Sequence, residues 1–335
     1  MIKNKKILIV GAGGFIGGHL VNRLLKDGNS IIATDIKPKE FWFQDFSEAK
    51  NHYAMDMKDI FNCKMVTKNV DFVFNMACNM GGMGFIENNK AECMQSVLIN
   101  TNLLIACNEN KVHKYFFSSS ACAYNTKKQE NVFIEGLKEE DAYPANPEDG
   151  YGWEKLFSER MCRHFMEDYG LEVRVARYHN IYGPFGTYDG GREKAPAAIC
   201  RKIAIAKLKK KSSIDVWGDG EQTRSFMYID DCIHGTKMVF NSNSANVYNL
   251  GSDEQVSINQ MIDVIEDIAG YKVSRNYQLD KPKGVRGRSS DNTKIYNDFN
   301  WSPNIKLYDG LKITYDWIYN QITSGDNTKK FTQSY

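Results

Sequence analysis

The sequence lacks several features that mark particular classes of protein. Its eight cysteines include no CxxC pair and no repeated spacing, which argues against a zinc site and against a disulfide framework. No run approaches the roughly 20 apolar residues that a membrane-spanning helix needs. Charge of one sign is not in excess either, because 43 Lys and Arg residues stand against 41 Asp and Glu residues. We therefore expect neither a nucleic acid nor a membrane surface as a partner.

The first ten residues, MIKNKKILIV, combine a basic start with an apolar run of four residues that leads directly into glycines. This run is shorter than the apolar core of a signal peptide, so it predicts a first strand. We expect a cytoplasmic protein with reduced cysteines. The length of 335 residues allows one large domain or two moderate ones.

Continuous apolar segments recur along the first half of the chain, with helix-like segments between them. The apolar segments are Ile7–Val10, Ser30–Thr34, Phe72–Phe74, Tyr115–Phe117 and Val173–Ala176. Uninterrupted apolar strands are typical of a parallel sheet that is covered on both faces. Since strands and helices alternate, the sequence predicts an α/β protein with a Rossmann-type, doubly wound parallel sheet.

A glycine-rich turn joins the first predicted strand to the first predicted helix. Gly11, Gly14 and Gly17 lie in the string GAGGFIG, where missing side chains let the backbone and a helix N-terminus approach a pyrophosphate. Asp35 ends the second strand, where a carboxylate accepts hydrogen bonds from ribose hydroxyls and repels a 2′-phosphate. The pattern predicts an NAD site, and a helix-capping role is the alternative for Asp35.

The string YGWEK predicts a hydride-transfer site, because it places Tyr151 and Lys155 one helical turn apart on the same face. An adjacent ammonium favours the phenolate, which lowers the tyrosine pKa from its usual value near 10. Ser120 closes a serine run after a buried strand and can hydrogen-bond the same substrate oxygen. The alternative is that Tyr151 and Lys155 form an ordinary pair on a solvated helix surface.

The expected cofactor-binding residues are Gly11, Gly14, Phe15, Ile16, Gly17, Asp35, Asp56, Tyr151 and Lys155.

The composition of the chain changes after Arg177. Glycine and proline cluster there, and the apolar segments become short. We expect residues 1–177 to form the NAD-binding domain, with later segments returning to it. Residues 178–324 are expected to form mainly a smaller C-terminal substrate-binding α/β lobe. The polar residues 325–335 are expected to form a flexible tail.

The combined motifs resemble those of the extended short-chain dehydrogenases/reductases that act on nucleotide sugars. Over most of its length the chain is similar to the GDP-mannose 3,5-epimerase family. The closer match lies in the strings NMGGMGF from Asn79, SSAC from Ser119, GGREKAPAAICRK from Gly190, WGDGEQTRSF from Trp217 and GVRGRSSDN from Gly284. The resemblance implies oxidation of the sugar at carbon 4, inversion of carbon 3, carbon 5 or both by an acid and a base, and return of the hydride.

The family's acid/base pair is a cysteine and a lysine, which correspond here to Cys122 and Lys194. Many related 4,6-dehydratases carry an Asp-Glu pair where this chain has Ala121 and Cys122. A thiol can remove a proton if nearby positive charge favours the thiolate, and a desolvated lysine has a lowered pKa. The alternatives are a buried core role for Cys122 and a solvated loop position for Lys194.

Arg224 and Arg288 are expected to bind the diphosphate of the nucleotide sugar, because a guanidinium offers a planar fork of donors to phosphate oxygens. Salt bridges with aspartates are the alternative for both arginines; the possible partners are Asp230, Asp231 and Asp291. The further substrate-binding candidates are Gly81, Gly82, Met83, Asn180, Lys194, Lys202, Gln222 and Arg286. The expected substrate is GDP-mannose or a related GDP-sugar such as a GDP-heptose.

Two other functions remain open. A 4-epimerase, reductase or 4-dehydrogenase of the same superfamily needs the tyrosine, the lysine and NAD, but no second acid/base pair. A non-catalytic NAD-sensing scaffold would be free to lose Tyr151 or Lys155, and both are present.

The resemblance also suggests a homodimer paired through the helices around residues 92–108 and 152–169. The apolar candidates for this contact are Leu98, Leu103, Leu104, Phe157, Met161 and Phe165.

Overall fold

A computed structural model describes residues 2–325 and 329–332. The strands are β1 Lys6–Val10, β2 Ser30–Thr34, β3 Lys50–His52, β4 Phe72–Asn75, β5 Lys114–Ser120, β6 Glu172–Tyr178, β7 Ile181–Tyr182, β8 Ser213–Trp217, β9 Thr223–Ser225, β10 Met227–Tyr228, β11 Val247–Leu250, β12 Gln255–Ser257, β13 Ser274–Gln278 and β14 Gly287–Arg288. The helices are α1 Phe15–Lys26, α2 Ile60–Val66, α3 Met83–Asn88, α4 Lys90–Met94, α5 Ser96–Glu109, α6 Asp149–Tyr169, α7 Ala195–Leu208, α8 Ile229–Asn241, α9 Ile258–Ala269, α10 Thr293–Phe299, α11 Leu307–Ser324 and α12 Lys329–Thr332.

Seven parallel strands form the central sheet in the order β3-β2-β1-β4-β5-β6-β11. The strand order reverses between β1 and β4, and ligands of open α/β sheets bind at such a switch point. The register pairs Val10 with both Thr34 and Asn75, so the carboxyl ends of β1, β2 and β4 lie side by side. The predicted doubly wound Rossmann-type sheet is confirmed.

Successive apolar residues of the strands are buried on opposite faces of the sheet. Ile7 and Ile9 of β1 belong to one buried cluster, and Leu8 and Val10 belong to another. Because both faces are covered, the central strands are apolar without alternation, as the sequence indicates. This packing fixes the strand ends from which the functional loops leave the sheet.

The second half of the chain forms three small sheets, pairing β10 with β7, β9 with β12 and β14, and β13 with β8. Helix α7 packs against α9 and α11 beside these sheets. The chain returns to the central sheet at Val247–Leu250, where β11 pairs with β6. No helix in the described ranges has both the length and the hydropathy that a membrane crossing requires.

The end of the chain differs in part from the predicted flexible tail. Lys329–Thr332 forms the short helix α12, in which Phe331 is buried and its ring lies 5.3 Å from that of Phe43. The backbone carbonyl of Phe331 accepts a hydrogen bond of 3.0 Å from the N–H of Tyr188. Residues 326–328 and 333–335, which also belong to the predicted tail, lie outside the described residues.

Candidate functional site

The glycine turn after β1 presents backbone where other residues would carry side chains. Gly11 has φ of +81°, and a Cβ there would lie 2.8 Å from the backbone N of Ala77. A Cβ on Gly17 would lie 2.1 Å from the carbonyl oxygen of Gly11. Gly14 begins α1 without a side-chain cap, so the first helical N–H groups face an approaching anion. The turn therefore fits the pyrophosphate of a dinucleotide.

Asp35 lies at the end of β2, buried beside this turn. Its two carboxylate oxygens accept hydrogen bonds of 3.0 Å from the backbone N–H groups of Gly13 and Lys37. Burial raises the pKa of Asp35, and the Lys37 ammonium opposes that rise. Asp35 thus braces the glycine turn and caps no helix. Asp56 is half-buried, and its carboxylate accepts a hydrogen bond of 2.8 Å from the N–H of Lys58.

A cavity of about 780 Å³ extends along the carboxyl ends of β1, β2, β4 and β5. The predicted residues that line it are Gly11, Gly14, Phe15, Ile16, Gly17, Asp35, Asp56, Ser120, Tyr151 and Lys194. The cavity therefore joins the glycine turn to the tyrosine and to the lysine of the predicted acid/base pair.

Tyr151 and Lys155 lie on α6 and are both buried. The Lys155 Nζ lies 5.5 Å from the centroid of the Tyr151 ring and 3.6 Å from a carboxylate oxygen of Glu154. Burial raises the pKa of Tyr151 well above its ordinary value, and Cys78 and Cys122 add to the rise. The cost of burying a phenolate therefore outweighs the effect expected from the neighbouring ammonium.

The three serines at the end of β5 have different partners. The Ser118 hydroxyl donates to the Asn75 carbonyl at 2.9 Å, and the Ser119 hydroxyl donates to the buried Glu159 carboxylate. Ser120 begins the 3-10 turn Ala121–Ala123, where its hydroxyl oxygen accepts the N–H of Cys122 at 3.2 Å. Ser120 is the serine of this run that interacts with Tyr151, where it opposes the rise in the tyrosine pKa.

Cys122 is buried beside two charged groups of opposite sign. One Arg288 nitrogen lies 3.5 Å from the Cys122 sulfur, and another donates to the Glu148 carboxylate at 2.8 Å. Burial and Glu148 raise the pKa of Cys122, and Arg288 does not fully offset them. The positive charge of Arg288 lowers the pKa of Cys122, as the prediction requires, but burial and Glu148 have the larger combined effect. Glu148 was not predicted from the sequence, where its only signal is an acidic residue just before the helix of Tyr151.

Lys194 is the residue before α7 and lines the cavity. Burial lowers its pKa, as predicted for a desolvated lysine, and the Cys122 thiol is its strongest electrostatic neighbour. The predicted acid/base pair is thus brought together, although the two residues are 72 positions apart in the chain.

The loop before Lys194 packs against the loop that carries Gly81, Gly82 and Met83. The N–H of Gly82 donates to the Arg192 carbonyl at 3.1 Å, and a Cβ on Gly82 would lie 2.4 Å from the Glu193 carbonyl oxygen. Glycine is required there by this close approach of two backbones. The loop that carries Gly81, Gly82 and Met83 therefore supports the Lys194 loop directly.

Arg224 is a buried cation next to Arg288. Its guanidinium donates to the backbone carbonyls of Thr223 at 2.7 Å and of Lys283 at 3.1 Å. Burial and Arg288 lower its pKa to about 10. Within the described ranges, no ion pair joins Arg224 or Arg288 to the aspartates considered from the sequence, since Arg288 pairs with Glu148. Two guanidinium groups and one carboxylate leave an excess of positive charge in the interior.

The remaining candidates are held by local contacts. Lys202 donates to the Asp215 carbonyl at 2.7 Å, and Arg286 forms an ion pair of 2.9 Å with Asp219. Asn180 has φ of +46° and donates to the Ser225 carbonyl at 3.0 Å. Among the described residues, the buried side-chain oxygen of Gln222 has no hydrogen-bond partner, so it can accept one from a ligand.

The motifs and fold define a class of enzyme. Residues 7–251 match the NAD dependent epimerase/dehydratase family, and the chain belongs to that family. GDP-mannose 3,5-epimerase 1 of Oryza sativa subsp. indica is 46% identical over 318 residues, which are 95% of this chain and 82% of that protein. GDP-mannose 3,5-epimerase of Arabidopsis thaliana is 44% identical over 321 residues, which are 96% and 84%. Within the broader family, the chain belongs to the GDP-mannose 3,5-epimerase family.

Solved structures share the fold. The UDP-glucose 4-epimerase of Thermotoga maritima, solved with UDP-glucose, has a TM-score of 0.85 at 24% identity and covers 95% of this chain and 99% of its own. The UDP-glucuronic acid 4-epimerase of Bacillus cereus, solved with UDP-glucuronic acid and NAD, has a TM-score of 0.77 at 27% identity, with coverage of 93% and 98%. The protein is thus an NAD-dependent epimerase of nucleotide sugars.

Proposed function

We propose that the protein epimerises GDP-mannose, or a related GDP-sugar such as a GDP-heptose, at carbon 3, carbon 5 or both. The observation that carries this proposal is that Lys194 lines the same cavity as Tyr151, and that the buried Cys122 interacts electrostatically with both. A 4-epimerase needs only the tyrosine and its partners. A thiol and an amine next to the hydride-transfer site are suited to moving protons at carbons adjacent to a transient ketone.

Tyr151 is the proposed base for the carbon-4 hydroxyl, and Ser120 holds the same oxygen. When bound, NAD supplies the hydride acceptor for carbon 4 and later the donor. Tyr151 acts as its phenolate, after its own proton has passed to solvent, and the ammonium of Lys155 offsets the phenolate charge until the proton of the carbon-4 hydroxyl neutralises it. The buried position of both side chains excludes water from this step.

The carbon-4 ketone acidifies the neighbouring C–H bonds, and Lys194 and Cys122 are the proposed acid/base pair. The lowered pKa of Lys194 increases its neutral fraction, which is the form that can accept a proton. A proton removed from one face of the sugar ring and delivered to the other inverts the centre. The carbonyl then takes back the hydride and the tyrosine proton.

Arg224 and Arg288 are the proposed anchors of the sugar diphosphate. Their combined charge exceeds that of Glu148, and burial makes an unpaired cation costly until an anion arrives. Gln222 is a further proposed contact, because its side-chain oxygen is free to accept a hydrogen bond. Asn180 and the Gly81–Met83 segment are proposed to contact the sugar.

We also propose that the protein is a homodimer paired through α5 and α6. Leu98 and Phe157 are each about half exposed, which suits a contact surface. Leu103 and Leu104, which the sequence analysis assigned to the same contact, are fully buried in the core of their own chain. Light scattering should give twice the chain mass of 38.3 kDa, whereas the single mass would remove the dimer from the proposal.

The test of the proposed reaction is turnover of a panel of GDP-sugars in heavy water, with products analysed by mass spectrometry and NMR. We expect deuterium at carbon 3 or carbon 5 of the product and none at carbon 4. Cys122→Ser should stop this labelling and leave NAD binding intact. Inversion at carbon 4 without solvent label would instead identify a 4-epimerase, and bound NAD without turnover of any sugar would favour a scaffold.

A further inference from the structure

The surroundings of the Cys122 thiol contain a group that the proposed reaction does not yet use. Glu148 lies at the N-terminus of α6 and is buried, and its backbone N–H donates to the Cys122 carbonyl at 3.0 Å. The Arg288 guanidinium joins its carboxylate to the thiol, and this carboxylate raises the pKa of the thiol. A buried carboxylate held beside a reacting thiol changes which of the two holds the proton.

Arg288 fixes the geometry of this contact. Its fork donates to the Glu148 carboxylate at 2.8 Å, lies 3.5 Å from the Cys122 sulfur, and donates through Nε to the side-chain oxygen of Gln129 at 2.7 Å. The thiol, the carboxylate and the guanidinium therefore form one buried network with little freedom to move. The other ionisable groups that face Cys122 are Lys194, Arg224 and Tyr151.

The electrostatics of the network separate the two members of the acid/base pair. Arg288 lowers the pKa of Glu148, which is therefore ionised and able to accept the thiol hydrogen. The same carboxylate disfavours a neighbouring thiolate, whereas burial favours the neutral amine of Lys194. At rest, Cys122 carries a transferable proton, and Lys194 has an increased tendency to accept one.

We propose that Glu148 is a positioning residue that keeps the proton on Cys122, so that the thiol enters the reaction as the proton donor and Lys194 as the acceptor. This inference rests on the proposed epimerisation and deepens it by assigning a direction to proton transfer. It also gives Glu148 a role that no motif in the sequence assigns to it.

The proposed step conserves protons and electrons. The Lys194 nitrogen takes the proton from the carbon next to the ketone, and the C–H electron pair moves into the enolate. The enolate carbon then takes the thiol proton on the opposite face, and the S–H electron pair remains on sulfur. Arg288 and Arg224 stabilise the thiolate. The resting state returns when the proton on the Lys194 ammonium reaches the thiolate, either directly or by release to solvent and uptake of another proton from it.

The first test measures the thiol directly with Glu148→Gln, which keeps the shape of the side chain and its acceptor oxygen for Arg288. Thiolate absorbance near 240 nm is titrated for each protein and for the same protein carrying Cys122→Ser, and the difference isolates Cys122. We expect the Cys122 midpoint to fall by at least about 1 pH unit in Glu148→Gln, a roughly tenfold rise in thiolate at a given pH. An unchanged or raised midpoint, or no titration of Cys122 in either protein up to pH 10, overturns the inference.

The second test is the pH profile of solvent-deuterium labelling at carbons 3 and 5. If Cys122 must be protonated to donate, Glu148→Gln should move the alkaline limb of kcat to lower pH and leave the acid limb in place. A shift of the acid limb instead would make the thiol the acceptor, and a uniform loss of activity without any shift would make Glu148 merely structural. Both results contradict the inference.

Glu87→Gln is the matched control, since Glu87 is the other carboxylate that interacts with Glu148 and lines the neighbouring cavity without contacting the thiol. It should leave the Cys122 midpoint within about 0.3 pH unit of wild type. Glu148→Asp, which retains the charge, should keep the midpoint closer to wild type than Glu148→Gln does. If the wild-type enzyme labels neither carbon, the proposed function fails, but the thiol titration still decides whether Glu148 holds the proton.

Discussion

The two ends of the site are built by different means. At the cofactor end, Gly11 and Gly17 bring backbone atoms close together and leave room for a phosphate. At the sugar end, Cys122, Glu148 and Arg288 are buried side chains whose charges are set by one another. The cofactor end depends on glycines that have no side chain, so one added methyl group is expected to impair it. The sugar end depends on a balance of charge, so a substitution that keeps the shape but changes the charge is expected to impair it.

The largest effect is expected when one methyl group enters the cofactor end. The Cβ of Gly17→Ala would overlap the Gly11 carbonyl oxygen at 2.1 Å, where backbone on both sides must shift. We expect NAD affinity to fall at least about 100-fold, equivalent to about 2.7 kcal/mol, measured by calorimetric titration.

Gly18→Ala is the matched control for that change, because its Cβ would come closest to the flexible side-chain amide of Gln44, at 3.0 Å, and would lie in ordinary contact with the backbone oxygen of Ala12, at 3.5 Å. It should retain NAD affinity within about threefold, and alanine is a better helix former than glycine. Equal losses in the two variants would show that this helix tolerates no added side chain, and the backbone cradle would not explain the result.

The next effect concerns kcat and is expected at the junction of the two ends. Tyr151→Phe removes the phenolic oxygen that takes the substrate proton and keeps the ring that fills the buried space. We expect kcat to fall about 10²- to 10⁴-fold, the range for loss of a general acid/base, with NAD affinity within about threefold of wild type. Retained turnover in a protein that binds NAD normally would assign this proton to another residue.

The smallest effect is expected at the nucleotide end. Arg224→Gln removes a buried cation that has only backbone partners, so it should weaken GDP-sugar binding about 10- to 100-fold, the range for a lost hydrogen bond to a charged group. NAD affinity should not change. Arg275→Gln, at an arginine paired with Asp263, is the control and should leave substrate affinity unchanged. Equal effects of the two substitutions would remove Arg224 from the diphosphate site.

Much of the fold was predictable because the central strands are buried on both faces and are therefore apolar without interruption. The short edge strand β3 was not predictable, because Lys50, Asn51 and His52 are all polar. Lys50 is exposed, and Asn51 and His52 are partly buried. The helix at Phe331 was missed because one aromatic residue in a polar segment gives no periodic signal. Its burial depends on distant partners such as Phe43.

The candidate site was predictable to the extent that its chemistry lies in short motifs. The spacing of the glycines after β1 predicts the turn, and the four-residue spacing of Tyr151 and Lys155 predicts that they share one helix face. The ionisation of Cys122 was not predictable in this way, because it depends on Glu148 and Arg288, which are 140 positions apart in the chain. Only the folded chain places both against the thiol, and burial then outweighs the expected effect of positive charge.

The most direct test of the central claim follows a single hydrogen atom. A GDP-sugar carrying deuterium at carbon 4 is converted in ordinary water, and the product is examined by NMR. We predict a product inverted at carbon 3, carbon 5 or both, with the deuterium retained at carbon 4 and the configuration there unchanged. Loss of that deuterium to solvent, or inversion at carbon 4 alone, would contradict a transient ketone that serves to move protons at the neighbouring carbons.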